Sequence, residues 1–137
     1  MAAISRGGIY RPARLFIEEG QEFDGIELGI SPETLDIVRD GMRAVVNEDG
    51  GTAYNEFAHA NFAEHGVEVY GKTGSTEAPE HAWFAGFSED KRGRGIAIAV
   101  VVEGGQHGSS DAGPLARDII GFCIEAGYIG NRRTETE

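Results

Sequence analysis

VEVYGKTGSTEAPEHAWFAGFSEDKRGRGIAIAVVVE, residues 67–103, is the stretch that decides the fold. Val67, Val69 and the residues up to Gly74 read as one strand. Residues 81–87 read as a second, with Trp83 and the phenylalanines supplying β propensity. Residues 95–103 are the strongest strand in the chain. Ile96, Ile98, Val100 and Val102 fall on one face, and Ala97, Ala99 and Val101 on the other. Both faces are apolar, which predicts helices over at least part of each side. The small alanines would let a helix approach closely. Three strands with two short connections make an antiparallel meander.

Upstream, residues 1–5 read as the last turn of a helix, stopped by Gly7 and Gly8. Residues 9–17 read as an extended segment that contains Pro12. A proline cannot donate to a ladder, so this is an edge strand at best. Residues 18–30 are glycine-rich and acidic, a loop or weak strand. Ser31-Pro32-Glu33 is a strong helix start: serine caps, proline suits the first helical position, and glutamate favours the positive end of the dipole. Leu35, Val38, Met42 and Val45 follow at helical spacing, and Gly50-Gly51 ends the helix. Residues 54–66 fit either a short helix or an ordered loop. Downstream, residues 108–111 form a polar stop and Pro114 opens the last helix. Leu115, Ile119, Phe122, Cys123 and Ala126 are expected to line its buried stripe. Gly127 is the expected cap, and residues 131–137 a flexible tail. No internal repeat is visible.

The chain has 137 residues, enough for one domain and one modest core. Its hydrophobic content of 40% argues against disorder. With 23 acidic and 12 basic residues the net charge is -11, which excludes nucleic acid and anionic membrane as expected partners. Cys123 is the single cysteine, so no intrachain disulfide can form; its apolar setting predicts a buried structural thiol. No run reaches the roughly 18 apolar residues of a membrane span, and the first residues lack the apolar segment of a signal peptide. Read literally, the chain stays in the cytoplasm if it is made from Met1.

The chemistry centres on Lys72-Thr73-Gly74 at a strand end. Alone, that triplet reads as an exposed lysine at a strand-to-turn junction rather than as a site, because three-residue motifs recur by chance. His59, His65, His81 and His107 have no metal-ligand spacing, so neither metal nor cofactor is expected. Glu77 and Glu80 read as solvated turn charges, and Trp83 and Phe84 as core and sheet packing.

The context of the triplet is more specific. Lys-Thr-Gly is one of three motifs of the serine acyl-transferases that bind β-lactams. YGKTGSTEAPEHAWFAGFSED, followed by IAIAVVVEGGQHGSSDAGPLARDII, closely resembles the carboxyl-terminal part of the transpeptidase domain of penicillin-binding proteins, class B, elongation type. AAISRGGIYRP and RDGMRAVVNEDGGTA match the same family in the same order. The resemblance covers residues 2–120. It implies an α/β (α+β) architecture, an antiparallel sheet packed with helices, as part of a penicillin-binding, β-lactamase-like fold. Residues 1–137 would then be a single partial domain.

The resemblance also assigns roles. Lys72 would sit beside the carboxylate of a peptidoglycan stem peptide or a β-lactam, and Thr73 would donate a hydrogen bond to it. Gly74 would let the substrate lie close. The backbone N–H of Ser75, where the family usually has threonine, would be one of two oxyanion-hole donors. The family's nucleophile, in Ser-x-x-Lys, and its Ser-x-Asn motif both lie upstream of the matching region. Ser-x-Asn does not occur here. The one nominal Ser-x-x-Lys, Ser88 to Lys91, falls in a charged connection expected to be a solvated turn. The chain is therefore expected to be the carboxyl-terminal segment of a transpeptidase domain and inactive alone. The alternative is an interaction module that complements a separate amino-terminal half or forms a homodimer. The parent family is membrane-anchored and extracytoplasmic.

Overall fold

The computed structural model describes residues 1–16 and 24–131. Helix α1 is short, Ala2–Ser5, and Gly7 and Gly8 follow it with positive φ. The extended segment predicted for residues 9–17 shrinks to strand β1, Ile9–Tyr10, paired antiparallel with β2, Ile26–Glu27. Residues 11–16 run outside any strand, consistent with the missing proline donor. Ile17 and the first part of the predicted 18–30 loop lie outside the described residues.

Helix α2 spans Pro32–Asn47, and the Ser31 hydroxyl accepts from the Thr34 N–H at 3.2 Å, as the sequence predicts. Its buried face is Leu35, Met42 and Val46 rather than the expected 35/38/42/45 stripe. Val38 is exposed and Val45 only partly buried. The reason is the helix's position. It runs along β3 and reaches both sides of the sheet: Met42 meets Tyr70 and Phe87, while Val46 joins the main core. The ambiguous 54–66 region resolves into a one-turn helix α3, Tyr54–Phe57, and a 3-10 turn, Phe62–His65.

The meander is present: β3 (Val67–Glu77), β4 (Glu80–Asp90) and β5 (Gly95–Glu103), in the order β3-β4-β5, antiparallel and in continuous register. That register fixes the two faces. Val67, Val69, Ala82 and Phe84 share one face with Ile96, Ile98, Val100 and Val102, and this face carries the main core. The other face has Tyr70 stacked on Phe87 at 4.6 Å between centroids, near Met42 and Ile4. Toward the β3–β4 turn this second face opens to solvent at Trp83 and Val101. Helices thus cover only part of it. Trp83, expected in the core, is 41% exposed, whereas its neighbour Phe84 is completely buried. The pleat puts adjacent residues on opposite faces.

After β5, Gly108–Ala112 forms a π-helical turn that leads into helix α4, Gly113–Glu125. The helix buries Gly113, Ala116, Ile120 and Ile124. The predicted stripe is rotated outward: Leu115, Ile119 and Phe122 are exposed, and Cys123 is only partly buried. Two apolar stripes compete on this helix. The one with Gly113 and Ala116 at its start brings the backbone closest to the sheet. Gly127 takes φ 80° just past the helix end, and its N–H donates to the Ile124 carbonyl at 2.9 Å. Asn131, placed in the predicted tail, is tied to His65 through its backbone N–H and its carbonyl; residues 132–137 lie outside the described residues.

Candidate functional site

Strand β3 pairs with β4 on one side. Its other edge is defined by Asn47, whose Nδ2 donates to the Val69 carbonyl at 2.8 Å from α2. That carbonyl therefore points away from β4. Backbone groups two residues apart on a strand point the same way, so the N–H and C=O groups of Gly71, Thr73 and Ser75 also face this edge. Lys72 Nζ donates to the Thr73 carbonyl there at 2.7 Å. The ammonium, the Thr73 backbone and the Ser75 N–H thus meet along one strand edge.

The side chains divide by the pleat. Thr73 and Ser75 lie on the core face of the sheet, near the open end of β3, and Lys72 starts from the opposite face. Among the described residues each hydroxyl has one hydrogen-bonding neighbour. Thr52 Oγ1, in the segment between α2 and α3, is 2.7 Å from Thr73 Oγ1. The Gly108 N–H donates to Ser75 Oγ at 3.2 Å.

The glycines around this edge have different causes. A Cβ on Gly71 would strike the Phe84 ring, and one on Gly108 would strike the Gly74 backbone and lie 2.6 Å from the Trp83 carbonyl. Internal packing dictates both. Gly74 is different: a Cβ there would meet only Trp83 Cβ, at an ordinary 3.6 Å. Its own fold does not demand a glycine. What the missing side chain leaves open is the sheet face that Lys72 and Trp83 share.

Asp111 holds the loop that delivers Gly108. Its Oδ2 accepts from the Gln106 N–H at 2.7 Å and the His107 N–H at 3.0 Å. These two donors, led by His107, outweigh desolvation and hold the carboxyl below its ordinary range. Thr52, Gly108 and Asp111 escape sequence reading. An Asp with free N–H groups four and five residues before it is a weak turn signal, and nothing local marks Thr52.

The other candidates lie apart. His65 Nδ1 sits 2.8 Å from the Asn131 carbonyl, and His81 Nδ1 accepts from the Gly104 N–H at 3.3 Å. Among the described residues no group of three or more His, Cys, Asp or Glu could hold a metal. Glu77 and Glu80 are exposed at the β3–β4 turn. Ser88 does not lie in a solvated turn, as its charged surroundings predict. Strand β4 continues through Asp90, and Ser88 faces the core fully buried, opposite Val69 and Ile96. Lys91 begins the exposed turn beyond. A serine on a strand, sealed from solvent, cannot meet a substrate.

The arrangement offers a cation, two hydroxyls and outward backbone groups along an open edge, which suits an extended chain that ends in a carboxylate. Residues 1–121 match the family model described as the penicillin binding protein transpeptidase domain. The chain is 30% identical over 110 residues to the peptidoglycan D,D-transpeptidase MrdA of Haemophilus influenzae, covering 71% of this chain and 16% of that protein. Its fold is similar to Pseudomonas aeruginosa PBP2, solved in complex with WCK 5153, with TM-score 0.68 and 23% identity over 99% of this chain and 30% of that one. The chain therefore spans well under half the length of either relative. Among the described residues no helix is long and apolar enough to cross a membrane.

Proposed function

The chain belongs to the penicillin-binding protein transpeptidase family, elongation type, and from that membership we propose that residues 72–75 form the carboxylate-binding wall of an acyl-transfer cleft. The observation that carries the reading is the open edge of β3, where Lys72 Nζ, the Thr73 and Ser75 hydroxyls and the Ser75 N–H lie within four consecutive residues. In the complete domain a serine outside this chain attacks the carbonyl between the two D-alanines of a stem peptide. The terminal D-alanine leaves, and an amine of a second strand takes the acyl group from the serine. Lys72 and Thr73 hold the terminal carboxylate, and the Ser75 N–H is one of two donors to the oxyanion. A lost donor of this kind costs about 3–4 kcal/mol of transition-state stabilisation. The longer protein would be membrane-anchored and extracytoplasmic.

On this reading the chain carries substrate-binding groups without a nucleophile and is inactive alone. Incubation with a fluorescent penicillin, followed by denaturing electrophoresis, should leave it unlabelled. Stable label mapped by mass spectrometry to Ser75, Ser88 or any other serine would overturn the reading.

A second reading, an interaction module, is favoured by β5. Among the described residues this strand pairs with β4 alone, and apolar side chains stay exposed on both sides of the sheet. Such an edge can take a strand from a complementing chain or from a second copy.

A further inference from the structure

We propose that Thr52 is a positioning residue that sets the direction of the Thr73 hydroxyl; this rests on the carboxylate-wall reading of β3. The two oxygens are 2.7 Å apart, the usual distance for O–H···O. A hydroxyl has one hydrogen and two acceptor lone pairs. Thr73 can donate to a carboxylate only if its hydrogen is not already given to Thr52. Thr52 must then be the donor and Thr73 the acceptor, and the Thr73 hydrogen is left for the ligand. The chain of donation is Thr52 to Thr73 to carboxylate, and each bond polarises the next.

Thr52 is well placed to hold that role. The residue after it, Ala53, is fully buried, and its N–H donates to the Val45 carbonyl at the end of α2 at 3.0 Å. The Gly51 N–H donates to the Glu48 carbonyl at 2.9 Å, and the Tyr54 N–H to the Gly51 carbonyl at 3.0 Å. The backbone on both sides of Thr52 is thus pinned, and its hydroxyl stands at a fixed point over β3. Ser75 has the same arrangement with a different partner. The Gly108 N–H can only donate, so it occupies a lone pair of Ser75 Oγ and leaves the serine hydrogen free. Both hydroxyls on this face accept from the protein side and are free to donate outward. An anion is the ligand class that such a pair favours.

The test uses the intact 137-residue chain and diacetyl-Lys-D-Ala-D-Ala, with its carboxamide as the neutral control, followed by NMR shifts of the β3 amides. The wild type is expected to bind the carboxylate in preference to the carboxamide. Thr52→Val keeps the shape and removes the hydroxyl; it is expected to weaken carboxylate binding about five- to tenfold and to leave carboxamide binding unchanged. Thr52→Ser restores the preference. A structural role for Thr52 would move both ligands together and would also shift the Ala53 and Val69 amides in the free protein. Carboxylate binding by Thr52→Val equal to wild type would overturn the proposal and leave the carboxylate-wall reading intact. No carboxylate-dependent shift on β3 of the wild type would overturn both.

Discussion

Gly74 and Asp90 show how differently single residues can act in this chain. Gly74 has room for a methyl group toward Trp83, so Gly74→Ala should fold with little change in Tm. If the ligand held by Lys72 also lies over the face of β3 that Lys72, Gly74 and Trp83 share, the same methyl should reduce binding of a D-Ala-D-Ala peptide at least about tenfold, since one clash at a close backbone approach costs more than 1.4 kcal/mol. Unchanged binding in titration calorimetry would remove the reason for a glycine there. Asp90 acts on stability. Burial raises its pKa, but the Gly130, Arg94 and Arg92 N–H groups and the Arg94 guanidinium reverse this and lower it to about 2. A carboxyl lowered in the folded state stabilises the fold above its unfolded pKa of about 4 and loses that contribution as pH falls through about 2. Asp90→Asn should therefore lower Tm at neutral pH, and the difference from wild type should shrink between about pH 4 and pH 2. A constant difference across that range in melting curves would mean that the charge of Asp90 is irrelevant. The triplet around Lys72 was legible because the chemistry names residue types. The role of Thr52 was not, since its partner Thr73 lies 21 residues away, and of the partners of Asp90 only the nearby Arg92 and Arg94 could be read locally, not Gly130 40 residues on.

Among the elements, strands were easier to read than the faces of helices. The period of two in β5 leaves a single choice of face pairs, and the register with β4 follows it residue by residue. Helix α4 instead offers two apolar stripes about one residue apart, and hydropathy alone favours the larger side chains. The structure selects Ala116, Ile120 and Ile124 because small residues at the start of the helix allow close approach to the sheet. Helix α2 misleads for a related reason, since Met42 and Val46 serve opposite sides of β3 and no single stripe describes both. Two substitutions on α4 separate the stripes. Ile120→Ala removes a fully buried side chain and should destabilise the fold by about 2–5 kcal/mol. Phe122→Ala removes a larger side chain that is 68% exposed and should cost less than about 1 kcal/mol. Urea denaturation that found the opposite order would reverse the assignment of the buried face.

The isolated molecule as a whole should self-associate. Leu115, Ile119 and Phe122 lie exposed on the α4 side, and Trp83 and Val101 on the opposite face of the sheet. Between them β5, nine residues long, has one edge with no strand partner among the described residues. Burying apolar surface yields about 25 cal/mol per Å2, and a strand edge adds directional hydrogen bonds. Antiparallel pairing of β5 with β5 of a second copy would join the edges about a two-fold axis. It would also set the basic turn with Lys91 and Arg92 at one end of β5 near the partner's acidic end with Glu103, and the reverse. The net charge of -11 on each copy opposes association, but exposed charges are screened beyond about 8–10 Å at moderate salt. A dimer at micromolar concentration is expected, tightening as salt rises until the local Lys91–Glu103 attraction is screened as well. Val101→Glu, on the face opposite α4, should weaken the dimer without disturbing the buried core. Sedimentation equilibrium decides the point. A monomer at every concentration, with protected β5 amides in hydrogen exchange, would mean that the chain closes its own edge and needs no partner there.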